Sequence, residues 1–136
     1  MDTSTTESNR ALIRAAFEAW QATDSNRDFF KLVAQDVHWT VIGTTPISGT
    51  YTSKKAFLAG ATGLLTARFA APLKLTRIVA VLADGDRVDV QFESASQSVN
   101  GVAYNQTYCW ALRLVAGQVV EATAYLDTEL VTAMFA

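Results

Sequence analysis

Scarcity closes several routes before any motif is read. The chain has a single cysteine, Cys109, and a single histidine, His38. One cysteine excludes an internal disulfide, and no Cys/His cluster has zinc-ligand spacing. A nucleophilic Cys109 would want a histidine partner, yet His38 lies far off in sequence, so a quiet structural thiol is expected. No apolar run approaches the ~20 residues of a membrane helix. The opening MDTSTTESNR is polar and lacks an apolar signal core, so a cytoplasmic protein is expected. Basic charge is not in excess: 11 Lys and Arg against 13 Asp and Glu leave a net charge of −2. Such a chain has no global field to attract nucleic acid.

What is present is hydrophobic. Half of the 136 residues are apolar and 18% are charged, which describes one folded domain with room for a core. Residues 1–8 read as a flexible tail and 9–136 as a single domain. SNRALIRAAFEAWQAT has apolar residues at helical spacing, through Leu12, Ile13, Ala16, Phe17 and Trp20, with Ser8 or Asn9 as cap. DSNRDFFKLVAQD reads as a turn and a short helix, and VHWTVI as a strand with Val37, Trp39 and Val41 on one face. A Gly/Pro/Ser/Thr loop follows, and Ser53 caps a helix through KKAFLAGATGLLTARF, where Gly60 and Gly63 suggest close packing. From Leu73 onward four strands alternate with the turns DGD, NG and AG, and Asp127 or Thr128 caps a last short helix. Helices first and an antiparallel meander after them describe an α+β domain.

Three stretches then carry a resemblance: QDVHWTVIGTTPISGTY, the hairpin NGVAYNQTYCWALRL, and the ending VAGQVVEATAYLDT. In this order and spacing the chain, from about Asn9 to Met134, resembles the nuclear transport factor 2-like superfamily, in its SnoaL-like and ketosteroid-isomerase-like branch. The resemblance implies a conical roll of a curved antiparallel sheet wrapped on N-terminal helices, enclosing a small-molecule pocket, usually in a dimer. It does not imply one activity, since isomerases, cyclases, hydrolases and non-catalytic modules share the fold. The positions that carry steroid isomerase chemistry in that branch fall near Phe17, at Val41 and at Trp110, all apolar or aromatic here. Of the limonene-epoxide-hydrolase-like set, Arg87 and Asp89 are present in RVD. The second aspartate position of that set is Ala124 here, and Trp39 and Val41 stand where it has its water-positioning Tyr and Asn, so the set is incomplete.

The strand RVDVQFES poses a question of facing. Arg87, Asp89, Gln91 and Glu93 share one side, and Val88, Val90 and Phe92 the other. A two-residue turn at Asn100-Gly101 would pair Val99 with Val102. It would then place Asp89, Gln91 and Glu93 opposite Leu112, Trp110 and Tyr108, facing inward. Desolvated among aromatics, Asp89 or Glu93 would suit a general acid or base. Their Cα atoms would be ~13 Å apart, too far to share a proton. Arg87–Asp89 as a plain ion pair, and the valines inward, is the opposite reading, and one bulge would produce it. With the polar set inward, the second apolar face, with Val90, Phe92, Cys109 and Ala111, would be covered by a second subunit.

The expectation is a cofactor-free, metal-free acid–base enzyme of isomerase, cyclase or hydrolase type on a small hydrophobic metabolite. Asp89 and Glu93 are its catalytic candidates. Phe17, Trp39, Val41, Arg87, Gln91, Tyr108, Trp110 and Ala124 shape its pocket. The alternatives are a non-catalytic ligand-binding module and a dimerisation domain. A homodimer with no nucleic-acid or membrane partner is expected. His38 alternates away from the pocket, and Asp127 reads as a helix cap that could instead serve acid–base chemistry.

Overall fold

The apolar stripe of the first helix is also its buried face. In the computed structural model, which describes residues 3–136, α1 spans Thr3–Thr23 and buries Ile13, Ala16, Phe17 and Trp20. Residues 3–8, expected in a flexible tail, are therefore helical, and residues 1 and 2 lie outside the described part. The reason is a pair of polar anchors. Thr6 Oγ1 accepts from the Gly85 amide at 2.8 Å, and Asn9 Nδ2 donates to the Gly85 carbonyl at 2.9 Å. Both backbone groups of one turn glycine are thus satisfied by the helix, which extends past the expected cap. No helix among the described residues is long and apolar enough to cross a membrane.

After α2 (Arg27–Lys31) comes β1 (Val33–Val41), then β2 (Gly49–Tyr51). The expected helix over residues 54–69 is shorter and interrupted. It runs as α3 (Lys54–Phe57), a π-helical turn (Leu58–Thr62) and α4 (Gly63–Thr66). Ser53 does cap it, its Oγ accepting from the Ala56 amide at 3.0 Å. The irregularity falls on the two glycines. A Cβ on Gly60 would stand 2.6 Å from Tyr51 Cε1, so the helix passes that ring at a distance only glycine allows. The meander is β3 (Lys74–Asp84), β4 (Arg87–Gln97), β5 (Ala103–Val115) and β6 (Gln118–Leu126), closed by α5 (Thr128–Met134).

The six strands form one curved sheet in the order β2-β1-β6-β5-β4-β3, with the helices against its inner face. One expectation is corrected here: the sheet is mixed, because β1 and β6 run parallel. The chain leaves β1, crosses through β2 and the helices, and returns to β1's flank only with its last strand, in the same direction.

A second correction concerns the β4–β5 hairpin. Ser98 and Val102 are opposed, with the Ser98 amide donating to the Val102 carbonyl at 2.9 Å, so the loop holds three residues, not two. Gly101 takes the left-handed conformation at φ 87°, and its amide bonds Ser98 O at 3.2 Å, as three-residue hairpins require. The Ser98 side chain fixes this geometry. Its Oγ accepts from the Val102 amide at 2.7 Å and donates to Asn100 Oδ1. One extra loop residue shifts every pair by one and exchanges the faces. Val88, Val90 and Phe92 oppose Leu112, Trp110 and Tyr108, and all six are buried. Val90 and Phe92, expected between subunits, are core residues.

Candidate functional site: an aromatic-walled cavity

Small residues on β6 make the space. Ala122 pairs with Trp39 of β1, and Ala124 pairs with Trp110 of β5. With only methyl groups between them, the two indoles meet edge to face, centroids 5.0 Å apart at 87°. Phe57 of α3 stacks on Trp39 at 4.2 Å, and Phe30 of α2 lies beside both rings. α1 contributes Trp20 from its last turn. The cavity, open at one side, has a volume of about 640 Å³. Ala61 and Leu65, one and two turns beyond Phe57, complete the wall on the helical side. Its exposed rim is formed by Asp24, Ser25, Thr66 and the segment 70–72.

Of the residues singled out in the sequence, Trp39, Val41, Tyr108, Trp110 and Ala124 line this cavity. Phe17 does not. It is fully buried behind the wall, in ring contact with Phe29, Phe92 and Trp110. Arg87, Asp89, Gln91 and Glu93 are on the opposite face of the sheet, where Asp89 opposes Ala111, Gln91 opposes Cys109 and Glu93 opposes Thr107. Asp89 and Glu93 are therefore not residues of this cavity. His38 is exposed and Trp39 fully buried, as their alternation requires. Asp127 caps α5, accepting from the Leu130 amide at 3.2 Å.

Sequence reasoning missed the rim. Asp24, Ser25 and Asn26 lie just past α1, and only the folded chain brings them across from Pro72 and Leu73. Phe57, Ala61 and Leu65 carried a legible signal, since their spacing of four marks one face of a helix.

The chemistry of the wall is limited. Less than 1 Å² of Trp39 Nε1 or Trp110 Nε1 is accessible, and neither has a hydrogen-bond partner among the described residues. The two indoles therefore offer the cavity their carbon surfaces, not their N–H groups. The Tyr108 hydroxyl is engaged with Tyr104 Oη at 2.8 Å, and Gln106 Nε2 donates to Tyr104 Oη at 3.3 Å. Burial pushes the Tyr108 phenol well above its ordinary value, so it stays neutral across the physiological range. Among the described residues Asp24 is the only Asp, Glu, Lys, Arg or His in the lining, and it sits at the exposed rim. Among the described residues no three His, Cys, Asp or Glu side chains gather as a metal site.

These features have a family. Residues 13–122 match the SnoaL-like domain family. The chain belongs to it. Solved structures of similar fold to this SnoaL-like domain include Bal32a from a soil-derived mobile gene cassette. Bal32a is 18% identical, with a TM-score of 0.79 over 97% of this chain and 99% of that one. An NTF2-like protein from Burkholderia thailandensis E264 is also 18% identical, with a TM-score of 0.77 over 94% of this chain and 97% of that one. A hypothetical protein with a ketosteroid isomerase-like fold from Catenulispora acidiphila DSM 44928, in complex with trimethylamine, is 16% identical. Its TM-score is 0.67, over 88% of this chain and 90% of that one. At such identities the likeness is one of fold. No curated protein matches the chain.

Proposed function

We propose that this SnoaL-like domain binds a small, largely hydrophobic molecule in the cavity. The observation that carries the reading is the wall itself: about 640 Å³ bounded mainly by aromatic and aliphatic side chains, with the Asp24 carboxylate at the rim. Cavities of this size and lining are the usual form of small-molecule sites. An acid–base enzyme, the other reading open to the family, needs a proton donor or acceptor against the ligand. Asp89 and Glu93 are on the far face, the Tyr108 hydroxyl is engaged with Tyr104, and the lining carboxylate of Asp24 sits at the exposed rim, away from the aromatic interior. Binding is thus the function the geometry supports best.

The test uses N-phenyl-1-naphthylamine, a neutral apolar probe whose emission rises on burial. One equivalent is expected to bind and to quench the tryptophans at 20, 39 and 110. Ala124→Leu, which fills space between the two indoles, and Ala70→Trp, which narrows the exposed rim, should each weaken binding at least tenfold while the protein stays folded. Absence of saturable binding to the folded wild-type protein would overturn the reading.

The same reading includes a homodimer built on the outer sheet face. Val79, Leu82 and Tyr125 are exposed there, beside the half-buried Cys109. Arg77 and Glu93 are cross-strand neighbours on this patch. Apolar area flanked by both signs of charge suits a two-fold contact, in which one patch meets its own copy.

A further inference from the structure

We infer that the cavity selects lipophilic organic cations, with the charged head held between the Trp20 ring and the Asp24 carboxylate at the rim. The inference rests on the binding reading above and names the ligand class for that site. Trp20 and Asp24 are four residues apart at the end of α1, joined by the Asp24 amide donating to the Trp20 carbonyl at 2.8 Å, and both line the cavity. A cation entering by this edge meets an aromatic face and a carboxylate together.

Two local rules are broken at Asp24. It closes a 21-residue helix, where the backbone dipole presents its negative end and a carboxylate is disfavoured. It also stands at φ 57°, a conformation that glycine or asparagine adopts more readily. The carboxylate at this position makes the rim more negative than a helix end needs to be. The partner it has within the chain is weak: Lys74 Nζ stands 4.0 Å from Asp24 Oδ2, and both side chains are largely exposed.

The interior argues the same way by exclusion. An anionic ligand would want a positive partner, yet among the described residues no Lys, Arg or His is in the lining, and its polar donors at Ser25, Asn26, Thr62 and Thr66 carry no charge. The Tyr108 hydroxyl is paired with Tyr104. An ammonium needs no donors; ring faces and a carboxylate serve it.

The experiment titrates three probes with one body and three heads: (4-phenylbutyl)trimethylammonium, 4-phenyl-1-butanol and 4-phenylbutyrate. The cation should bind most tightly and the carboxylate least. Asp24→Asn keeps the shape and tolerates the left-handed backbone, so the fold should survive. It should weaken the cation roughly three- to thirtyfold and leave the alcohol unchanged. Lys74→Gln should leave cation binding equal or tighter, because it frees the carboxylate. If the carboxylate probe binds as well as the cation, or Asp24→Asn weakens all three alike, the inference is wrong. If N-phenyl-1-naphthylamine binds while the cation shows no preference, the selectivity alone is lost. If none of the four probes binds, the binding reading falls with it.

Discussion

Phe92 and Glu93 are adjacent in the chain and opposite in consequence. Phe92 is fully buried, stacked on Tyr108 with centroids 4.9 Å apart and set edge-on to Trp110 at 5.0 Å. Glu93 is on the outer face beside Arg77. Phe92→Ala should therefore cost about 3–5 kcal/mol, the range for truncating a buried phenylalanine. Glu93→Ala should stay within about 0.5 kcal/mol, as surface changes do. Urea unfolding of the two variants measures both, and the opposite ranking would restore the two-residue turn. Cys109 adds a residue-level expectation. Burial, and secondarily the Asp89 charge, raise its thiol above the ordinary value. A raised value leaves less thiolate at a given pH, so alkylation by iodoacetamide should be slower than for free cysteine. Its rate–pH curve should lie toward higher pH. A rate equal to that of the free thiol would count against this placement.

Elements are joined by a few polar side chains at their ends. Gln106, 1% exposed, donates through Nε2 to the Asp127 carbonyl at 3.0 Å and accepts through Oε1 from the Asp127 amide at 2.8 Å. It thereby ties β5 to the junction of β6 and α5. Gln106→Leu keeps much of the volume but strands both backbone groups. A loss of about 1–3 kcal/mol is expected by thermal or urea unfolding, and a neutral result would show that the clamp carries little. The π-helical turn gives a second test. Gly60→Ala places a methyl against the Tyr51 ring, whose hydroxyl donates to the Ile47 carbonyl at 2.8 Å. Overpacking of this kind costs about 1–3 kcal/mol. Combined with Tyr51→Ala, the cost should be less than additive, because the clash partner is gone.

At the scale of the whole molecule, the proposed dimer contact is the outer sheet face. Light scattering at micromolar concentration should give twice the chain mass, and Tyr125→Glu, which places a charge on the exposed patch, should give a monomer that still folds. A wild-type monomer would remove the dimer. Sequence by itself determined the α1 stripe, the Ser53 and Asp127 caps, the position of nearly every strand, and the shared faces of Val37, Trp39 and Val41 and of Tyr108, Trp110 and Leu112. These follow from periodicity and capping chemistry, which act over a few residues. Tertiary structure alone decided the rest. The facing of β4 turned on one loop residue held by Ser98, and a strand pattern with apolar residues on both faces cannot report which side is inward. The parallel pairing of β1 with β6 joins segments from opposite ends of the chain, and Asp24 became a cavity residue only when the helix end and the segment 69–73 were brought together. Such contacts depend on how distant elements pack, and no local pattern of residues encodes that.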